Sequence, residues 1–264
     1  MHPMLNIAIG AARAAGSLIV RYLDRIDSLD VATKYKNELV TQVDREAEAI
    51  IVADIHKAYP DHAILAEESG AAGDSEYRWI IDPLDGTTNY VHGFPQFCVS
   101  IALEHRGRLD QGVVFDPLRQ ELFTASRGAG ARLDDRRIRV SRRTGLEGAL
   151  LGTGFPFRGD YDLDTYLATL RALVPKCGGV RRAGAAALDL AYVAAGRLDG
   201  FWEFGLQPWD MAAGVLLIRE AGGLVTDADG GENYMESGNI LTGTPKLLRD
   251  LVKVVTPIWK SGSA

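Results

Sequence analysis

The sequence predicts a layered α+β protein, and three observations lead there. Amphipathic helices open and close the chain. Three strand-like runs follow one another between residues 97 and 125, divided by turn signals, and read as an antiparallel meander. Beyond residue 146, short strands alternate with helices. The order helix-helix-sheet-helix-sheet-helix stacks two sheets between helical pairs, the first largely antiparallel and the second mixed. The meander argues against a plain doubly wound parallel sheet. At 264 residues the chain is long enough for one large domain, 1–264, of two intimate halves at roughly 1–145 and 146–264.

Each element has a local reason. Leu5, Ala8, Ile9, Ala12, Ala15, Gly16, Ile19, Val20 and Leu23 keep the spacing of an amphipathic helix, with Arg13, Arg21 and Asp24 off the stripe. The polar segment Lys34-Tyr35-Lys36-Asn37-Glu38 leads into Leu39-Val40-Thr41-Gln42-Val43-Asp44. A second helix then runs to Tyr59, where Pro60 stops it. Residues 63–66 read as a buried strand and 70–76 as a loop. Trp79-Ile80-Ile81 reads as a second buried strand, and 97–104, 112–115 and 120–125 as the meander. In the second half the strands fall at 150–154, 179–182, 200–204, 223–226 and 239–242. Helices fall at 164–173, 184–196, 208–222 and 245–255, and Pro257 should disturb the end of the last one.

Composition narrows the function. Hydrophobic content of 47% and charged content of 24% are ordinary for a globular protein, and the net charge of -6 argues against general nucleic-acid binding. Cys98 and Cys177 form neither a disulfide framework nor a zinc site, so a reducing cytoplasm is the expected compartment. The apolar run 5–20 has no basic leader and is interrupted by Arg13, which argues against a signal peptide. No stretch has ~20 uninterrupted apolar residues, so no membrane association is expected.

The chemistry is concentrated at Asp82-Pro83-Leu84-Asp85-Gly86-Thr87-Thr88-Asn89. A buried strand that ends here delivers two carboxylates to a sheet edge, where ligands of α/β proteins collect. Gly86, Thr87 and Thr88 open a short helix whose unpaired N–H groups favour an anion. Two carboxylates beside an anion site require cations between them. The same residues are also good turn formers, and alone they leave turn and site equally open. Asp44, Glu67 and Asp210 add carboxylates where other strands end or helices begin. Glu67, Asp82, Asp85 and Asp210, with one backbone carbonyl, suffice for two or more Mg²⁺ ions. Neither histidine nor cysteine occupies any of these positions, which disfavours zinc, copper and iron.

These residues also carry a resemblance. Asp82-Pro83-Leu84-Asp85-Gly86-Thr87 is similar to the first signature of the inositol monophosphatase family. Pro208-Trp209-Asp210-Met211-Ala212-Ala213-Gly214, followed by Glu220-Ala221-Gly222-Gly223, is similar to its second. Leu39 to Asp44, Glu67-Glu68-Ser69 and Arg181-Arg182-Ala183-Gly184 match family segments in order. The likeness spans roughly 4–255 and is greatest to bacterial members. It implies an αβαβα sandwich and a Mg²⁺-dependent, lithium-sensitive phosphomonoesterase acting on myo-inositol monophosphate. Two or three ions per site and a homodimer are also implied. Glu67, Asp82 and the Leu84 carbonyl would hold one ion, and Asp82, Asp85 and Asp210 another. Asp44 and Thr87 would pair near the attacking water, with Glu67 close to it. The Gly86 and Thr87 N–H groups would bind phosphate. The substrate side would comprise Glu67, Leu84, Asp85, Arg181, Gly184, Ala185, Ala186, Glu203 and Asp210, and Lys34 would sit on a flap. Ala185 stands where the family usually has Ser or Thr.

Alternatives stay in view. Relatives of this design hydrolyse sugar bisphosphates, nucleotide 3′-phosphates or histidinol phosphate. Phosphatases with an aspartyl nucleophile place a second acid two residues on, whereas here the acids are three apart and Pro83 intervenes. Gly152-Thr153-Gly154 lacks the rest of a nucleotide loop. Bacterial relatives are also linked to ribosomal RNA transcription complexes. Arg132, Arg136, Arg137, Arg139, Arg142 and Arg143 could therefore face transcription or RNA polymerase factors, although Asp134 and Asp135 among them suit an ordinary solvated face.

Overall fold

A computed structural model describes residues 2–26, 31–35, 38–156 and 163–262; at 31, 33–35 and 38–40 it describes the backbone alone. The chain opens with α1 (Pro3–Leu23), whose stripe of Leu5, Ala8, Ala12, Ala15 and Ile19 is buried. Among the described residues α1 alone is long and apolar enough to cross a membrane, but that stripe packs against α2 and the first sheet. The segment read as a polar lead-in falls on an antiparallel pair, β1 (Val31–Tyr35) and β2 (Glu38–Thr41), with Lys36 and Asn37 outside the described residues. Lys34 lies on β1, and its side chain is outside the described set.

α2 (Gln42–Ala58) begins directly after its cap residue Thr41 rather than after Asp44. The Thr41 hydroxyl accepts from Val43 N at 3.0 Å, and Asp44 Oδ2 accepts from Thr41 N at 2.8 Å. This reciprocal cap puts Asp44 in the helix's first turn.

The first sheet has eight strands in the order β10-β9-β8-β7-β6-β5-β3-β4. They are β3 (Ala63–Ala66), β4 (Gly70–Ala72), β5 (Tyr77–Asp85), β6 (Cys98–His105), β7 (Arg108–Asp116), β8 (Glu121–Ser126), β9 (Gly130–Leu133) and β10 (Arg136–Arg137). Only β3 and β5 pair in parallel, so the sheet is largely antiparallel. β4 lies in the stretch read as a loop, because Gly-Ala-Ala carries no apolar alternation. α3 (Thr87–Val91) is the short helix that follows β5.

The second sheet runs β12-β11-β13-β15-β14 and is mixed. Its strands are β11 (Leu150–Thr153), β12 (Gly179–Arg181), β13 (Gly200–Glu203), β14 (Leu224–Thr226) and β15 (Ile240–Gly243). The helices of this half are α4 (Leu163–Leu173), α5 (Ala186–Ala194), α6 (Pro208–Glu220), the one-turn α7 (Tyr234–Ser237) and α8 (Pro245–Gly262).

Three buried clusters define the layers. α1 and α2 cover one face of the first sheet through Ile51, Ile55, Trp79 and Ile81. α5 and α6 lie between the sheets, packed on Ile80, Val114 and Phe123 below and Phe201, Val225 and Ile240 above. α4 and α8 close the stack over Tyr166, Trp202 and Leu241. The αβαβα sandwich is therefore as the sequence predicts. Burying Ile- or Phe-sized side chains on both faces of a sheet contributes about 1.5–3 kcal/mol each, which favours this sandwich over an open sheet. α8 differs from expectation, since it runs through Pro257 to Gly262. Pro257 forfeits one helical hydrogen bond, but Trp259 beyond it packs against Phe204 at 4.8 Å and holds the last turn in place.

Candidate active site

The site begins with an irregularity in β5. Side chains alternate along a strand, so residues 82 and 85 should face opposite ways. The register against β6 pairs Asp82 with Ser100 and Asp85 with Cys98, three steps against two. This bulge falls at Pro83-Leu84, where proline has no N–H to give the ladder. It turns both carboxylates to the same side. Asp82, Asp85 and Asp210 then offer ligand oxygens all within 4.8 Å of one another, at exposures of 2%, 9% and 3%.

Each of the three is tethered by a backbone N–H. Asp82 Oδ1 accepts from Leu84 N at 3.0 Å, Asp85 Oδ2 from Ala187 N at 2.7 Å, and Asp210 Oδ2 from Gln207 N at 2.8 Å. The last is the reciprocal cap of α6, so the helix start itself aims the carboxylate. Ala187 N belongs to the first turn of α5, whose cap residue Ala185 has no side-chain acceptor. Asp85 supplies that acceptor from another element, which accommodates alanine at this position. Glu67 follows β3, and its carboxylate is hydrogen-bonded to Asp82.

Without a cation this cluster is electrostatically frustrated. Burial first, and then the charges of Glu67, Asp85 and Asp210, push the Asp82 carboxyl well above its ordinary value. Burial, then Asp210 and Asp189, push Glu203 up in the same way. Buried, adjacent carboxylates with oxygen donors only are the donor set of a hard cation such as Mg²⁺, which resolves the repulsion. The residues present fit the group.

Beside the cluster, Thr87 Oγ1 donates to Asp44 Oδ1 at 2.8 Å and lies 3.1 Å from the Leu84 carbonyl. Thr41 Oγ1 donates to the other oxygen of Asp44 at 2.6 Å. Burial raises the Asp44 carboxyl, against the hydrogen bonds from Thr41 and Thr87 that lower it. Gly86 has φ 96°, and a Cβ there would stand 2.8 Å from the Gln96 carbonyl, so only glycine fits.

A cleft of about 590 Å³ brings most of the expected residues together. Glu67, Asp82, Leu84, Asp85, Gly86, Thr87, Gly184, Ala185, Ala186, Glu203 and Asp210 line it, and Asp44 stands behind Thr87. Arg181 is not on this wall. It ends β12, exposed, with Nη1 donating to the Val180 carbonyl at 3.1 Å, and it is Arg182 that lines the cleft, over the Phe155 ring at 5.0 Å. Neighbouring residues of an extended segment point to opposite sides, so one step in sequence moves the cation to the other side. The Gly152-Thr153-Gly154 stretch ends β11, and Gly154 packs directly against the Glu203 carboxylate. Sequence reasoning did not single out Phe155, and it gave no site role to Arg182 or Asn89 although both lie in the quoted segments. The Asn89 amide ties α3 to the Ala183 carbonyl at 2.9 Å, and only its place after the signature hinted at it.

The layered fold and its carboxylate-walled cleft support a phosphatase-type enzyme, and the comparisons with known proteins agree. The family model described as "Inositol monophosphatase family" matches residues 1–260, and the chain belongs to that family. The protein "Nus factor SuhB" of Pseudomonas aeruginosa is 57% identical over 263 residues, with 97% of each chain covered. The solved structure of extragenic suppressor protein suhB from Bartonella henselae superposes with a TM-score of 0.94 at 48% identity, covering 96% of this chain and 98% of that one. An inositol monophosphatase from Anabaena gives 0.84 at 41% identity, covering 96% and 95%.

Proposed function

We propose that this protein is a Mg²⁺-dependent phosphomonoesterase that hydrolyses myo-inositol monophosphate to inositol and phosphate. The observation that carries the reading is the convergence of Asp82, Asp85 and Asp210 within 4.8 Å, beside the Thr87–Asp44 pair. Glu67, Asp82, Asp85 and Asp210, with the Leu84 carbonyl, would hold two or three ions. Bound there, Mg²⁺ supplies Lewis acidity toward the phosphoryl group and lowers the pKa of water.

The chain's own residues do the rest. The Gly86 and Thr87 N–H groups, at the start of α3 where no helical acceptor exists, donate to phosphate oxygens. The Thr87 hydroxyl proton is directed to Asp44 or to the Leu84 carbonyl, which leaves an oxygen lone pair to accept from the attacking water. Asp44, with its carboxyl raised by burial, is placed to take a proton relayed through Thr87. In-line phosphoryl transfer asks mainly for positioning and charge stabilisation, and this set provides both. Glu203 and Arg182 present an acceptor and a donor to the polyol hydroxyls.

The reading is tested by phosphate release from a panel of myo-inositol monophosphate, a sugar bisphosphate, a nucleotide 3′-phosphate and histidinol phosphate, with and without Mg²⁺ and Li⁺. Mg²⁺-dependent, Li⁺-inhibited release, fastest from the inositol ester, is expected. Release that is metal-independent, or fastest from another ester, contradicts the assignment. A cytoplasmic homodimer is part of the proposal, with the dimer checked by light scattering.

The relative's printed name, a Nus factor, favours a second role in transcription antitermination. The exposed Arg132, Arg136, Arg137, Arg139, Arg142 and Arg143, at and after the β9–β10 edge of the first sheet, are the surface such a partner would meet. Co-purification with RNA polymerase factors that survives Arg136→Glu/Arg139→Glu counts against that surface.

A further inference from the structure

α2 carries two buried carboxylates one helical turn apart, and only Asp44 has a place in the chemistry described so far. The other is Glu48, 4% exposed. Its Oε2 accepts from Glu68 N at 2.8 Å and its Oε1 from Ser69 N at 2.8 Å. Both amides belong to the turn that immediately follows Glu67. Residues four apart on a helix lie on one face, so Asp44 and Glu48 reach out from the same side of α2. One holds Thr87 and the other holds the Glu67 turn.

The tethers in the cluster show why this matters. Asp82, Asp85 and Asp210 each have an oxygen fixed by a backbone N–H. Glu67 sits at a strand end, on a longer side chain with more rotamers, and its backbone N–H is already committed to the Ile81 carbonyl at 3.1 Å. The two residues after it form the turn between β3 and β4, and Glu48 holds the N–H of each. A buried carboxylate that spends both oxygens on two consecutive amides sets the turn's direction, and hence that of the Cα–Cβ bond just before it. No other function is visible for it, because it lies behind the turn and does not line the cleft.

We propose that Glu48 is a positioning residue for the cation site, holding Glu67 in ligating geometry through the Glu68 and Ser69 amides. The proposal rests on the Mg²⁺ reading above. Outer-shell partners of metal ligands typically contribute about 10–100-fold in affinity, and this range is expected here. Glu48→Gln keeps the volume but faces one of the two amides with another donor. Glu48→Asp keeps the charge and withdraws it by one methylene.

The experiment is calorimetric titration of Mg²⁺ into the full-length protein without substrate, paired with amide hydrogen exchange at 68 and 69. Wild type should bind Mg²⁺. Glu48→Gln should bind it about 10–100-fold more weakly, with faster exchange at both amides. Glu48→Asp should show a smaller loss, and it answers the question if Glu48→Gln does not fold. In turnover assays the Mg²⁺ activation constant should rise more than kcat falls. A merely structural role would lower the thermal midpoint and leave the Mg²⁺ isotherm of the folded protein unchanged, and that result overturns the proposal while the cation reading stands. Failure of wild type to bind Mg²⁺ overturns both.

Discussion

Asp44→Asn separates the proton-handling pair from the cation site. Asp44 accepts three hydrogen bonds, two from Thr41 on Oδ2 and one from the Thr87 hydroxyl on Oδ1. Asparagine has nearly the same shape, and its oxygen can keep the Thr41 cap. Its NH₂ then faces Thr87 and reverses that bond, so Thr87 must accept from the new amide and turn its proton to the Leu84 carbonyl, 3.1 Å away. The amide takes one of the two lone pairs on Thr87, the hydroxyl proton is diverted from residue 44, and no group remains there to take a proton. Loss of a positioned general base costs about 10²–10⁴-fold. At 1.36 kcal/mol per decade that is about 2.7–5.4 kcal/mol on the barrier. Folding should suffer little. Asp44 is 1% exposed, and burial already opposes its charge, so the neutral amide offsets much of the roughly 1 kcal/mol lost when charge-assisted hydrogen bonds become neutral ones. The assay is kcat for phosphate release at saturating Mg²⁺, with the thermal midpoint measured alongside. A kcat within about threefold of wild type in the folded variant refutes the role of the pair.

The remaining predictions concern the cations and the turn. Asp85→Asn and Asp210→Asn should each nearly abolish Mg²⁺-dependent phosphate release in folded protein, beyond the about 10–100-fold that loss of an outer-shell partner costs, and wild-type rates in either would contradict the ligand set. Gly86→Ala should lower the stability by about 1–3 kcal/mol through its positive φ alone. The Gln96 carbonyl adds to that cost, and an unchanged denaturant midpoint would contradict the packing. The pH dependence has a definite sign. Asp82, Asp189 and Glu203 are all raised in the metal-free protein by burial and carboxylate neighbours. The folded state therefore holds more protons than the unfolded chain above the ordinary carboxylate range. That stability is present at low pH and is lost as pH rises through the folded-state values. Of these groups only Asp82 is in the proposed ligand set, and Mg²⁺ there would replace its proton, so the Mg²⁺ increment in thermal midpoint should grow as pH rises above the ordinary carboxylate range; an equal or larger increment at the acid end contradicts this.

The layers were readable because each helix writes its buried stripe in the chain, as α1 does from Leu5 to Ile19. The cation cluster was readable in part. Asp-Pro-Leu-Asp announces two carboxylates, but that both face one side depends on a bulge whose register is set by β6. Asp44 was visible as a carboxylate at an element end, yet the Thr41 cap that fixes its position needs the geometry of the turn. Arg181 and Arg182 differ by one step along an extended segment, and sequence alone does not say which side each takes. Glu48 looks like any exposed helical acid until the 68–69 amides are seen folded back onto it. β4, β9 and β10 were unread because Gly-Ala-Ala, Gly-Ala-Arg-Leu and Arg-Arg are too short to show an apolar alternation, and neighbouring strands alone make them strands.

The central claim is that the carboxylates of β5 and α6 hold divalent cations beside Gly86 and Thr87. Anomalous scattering from crystals soaked in Mn²⁺, a substitute for Mg²⁺, tests it most directly. The account predicts peaks within coordination distance of Asp82, Asp85 and Asp210, with another near Glu67 and the Leu84 carbonyl. A cleft free of anomalous density at saturating Mn²⁺ would contradict it.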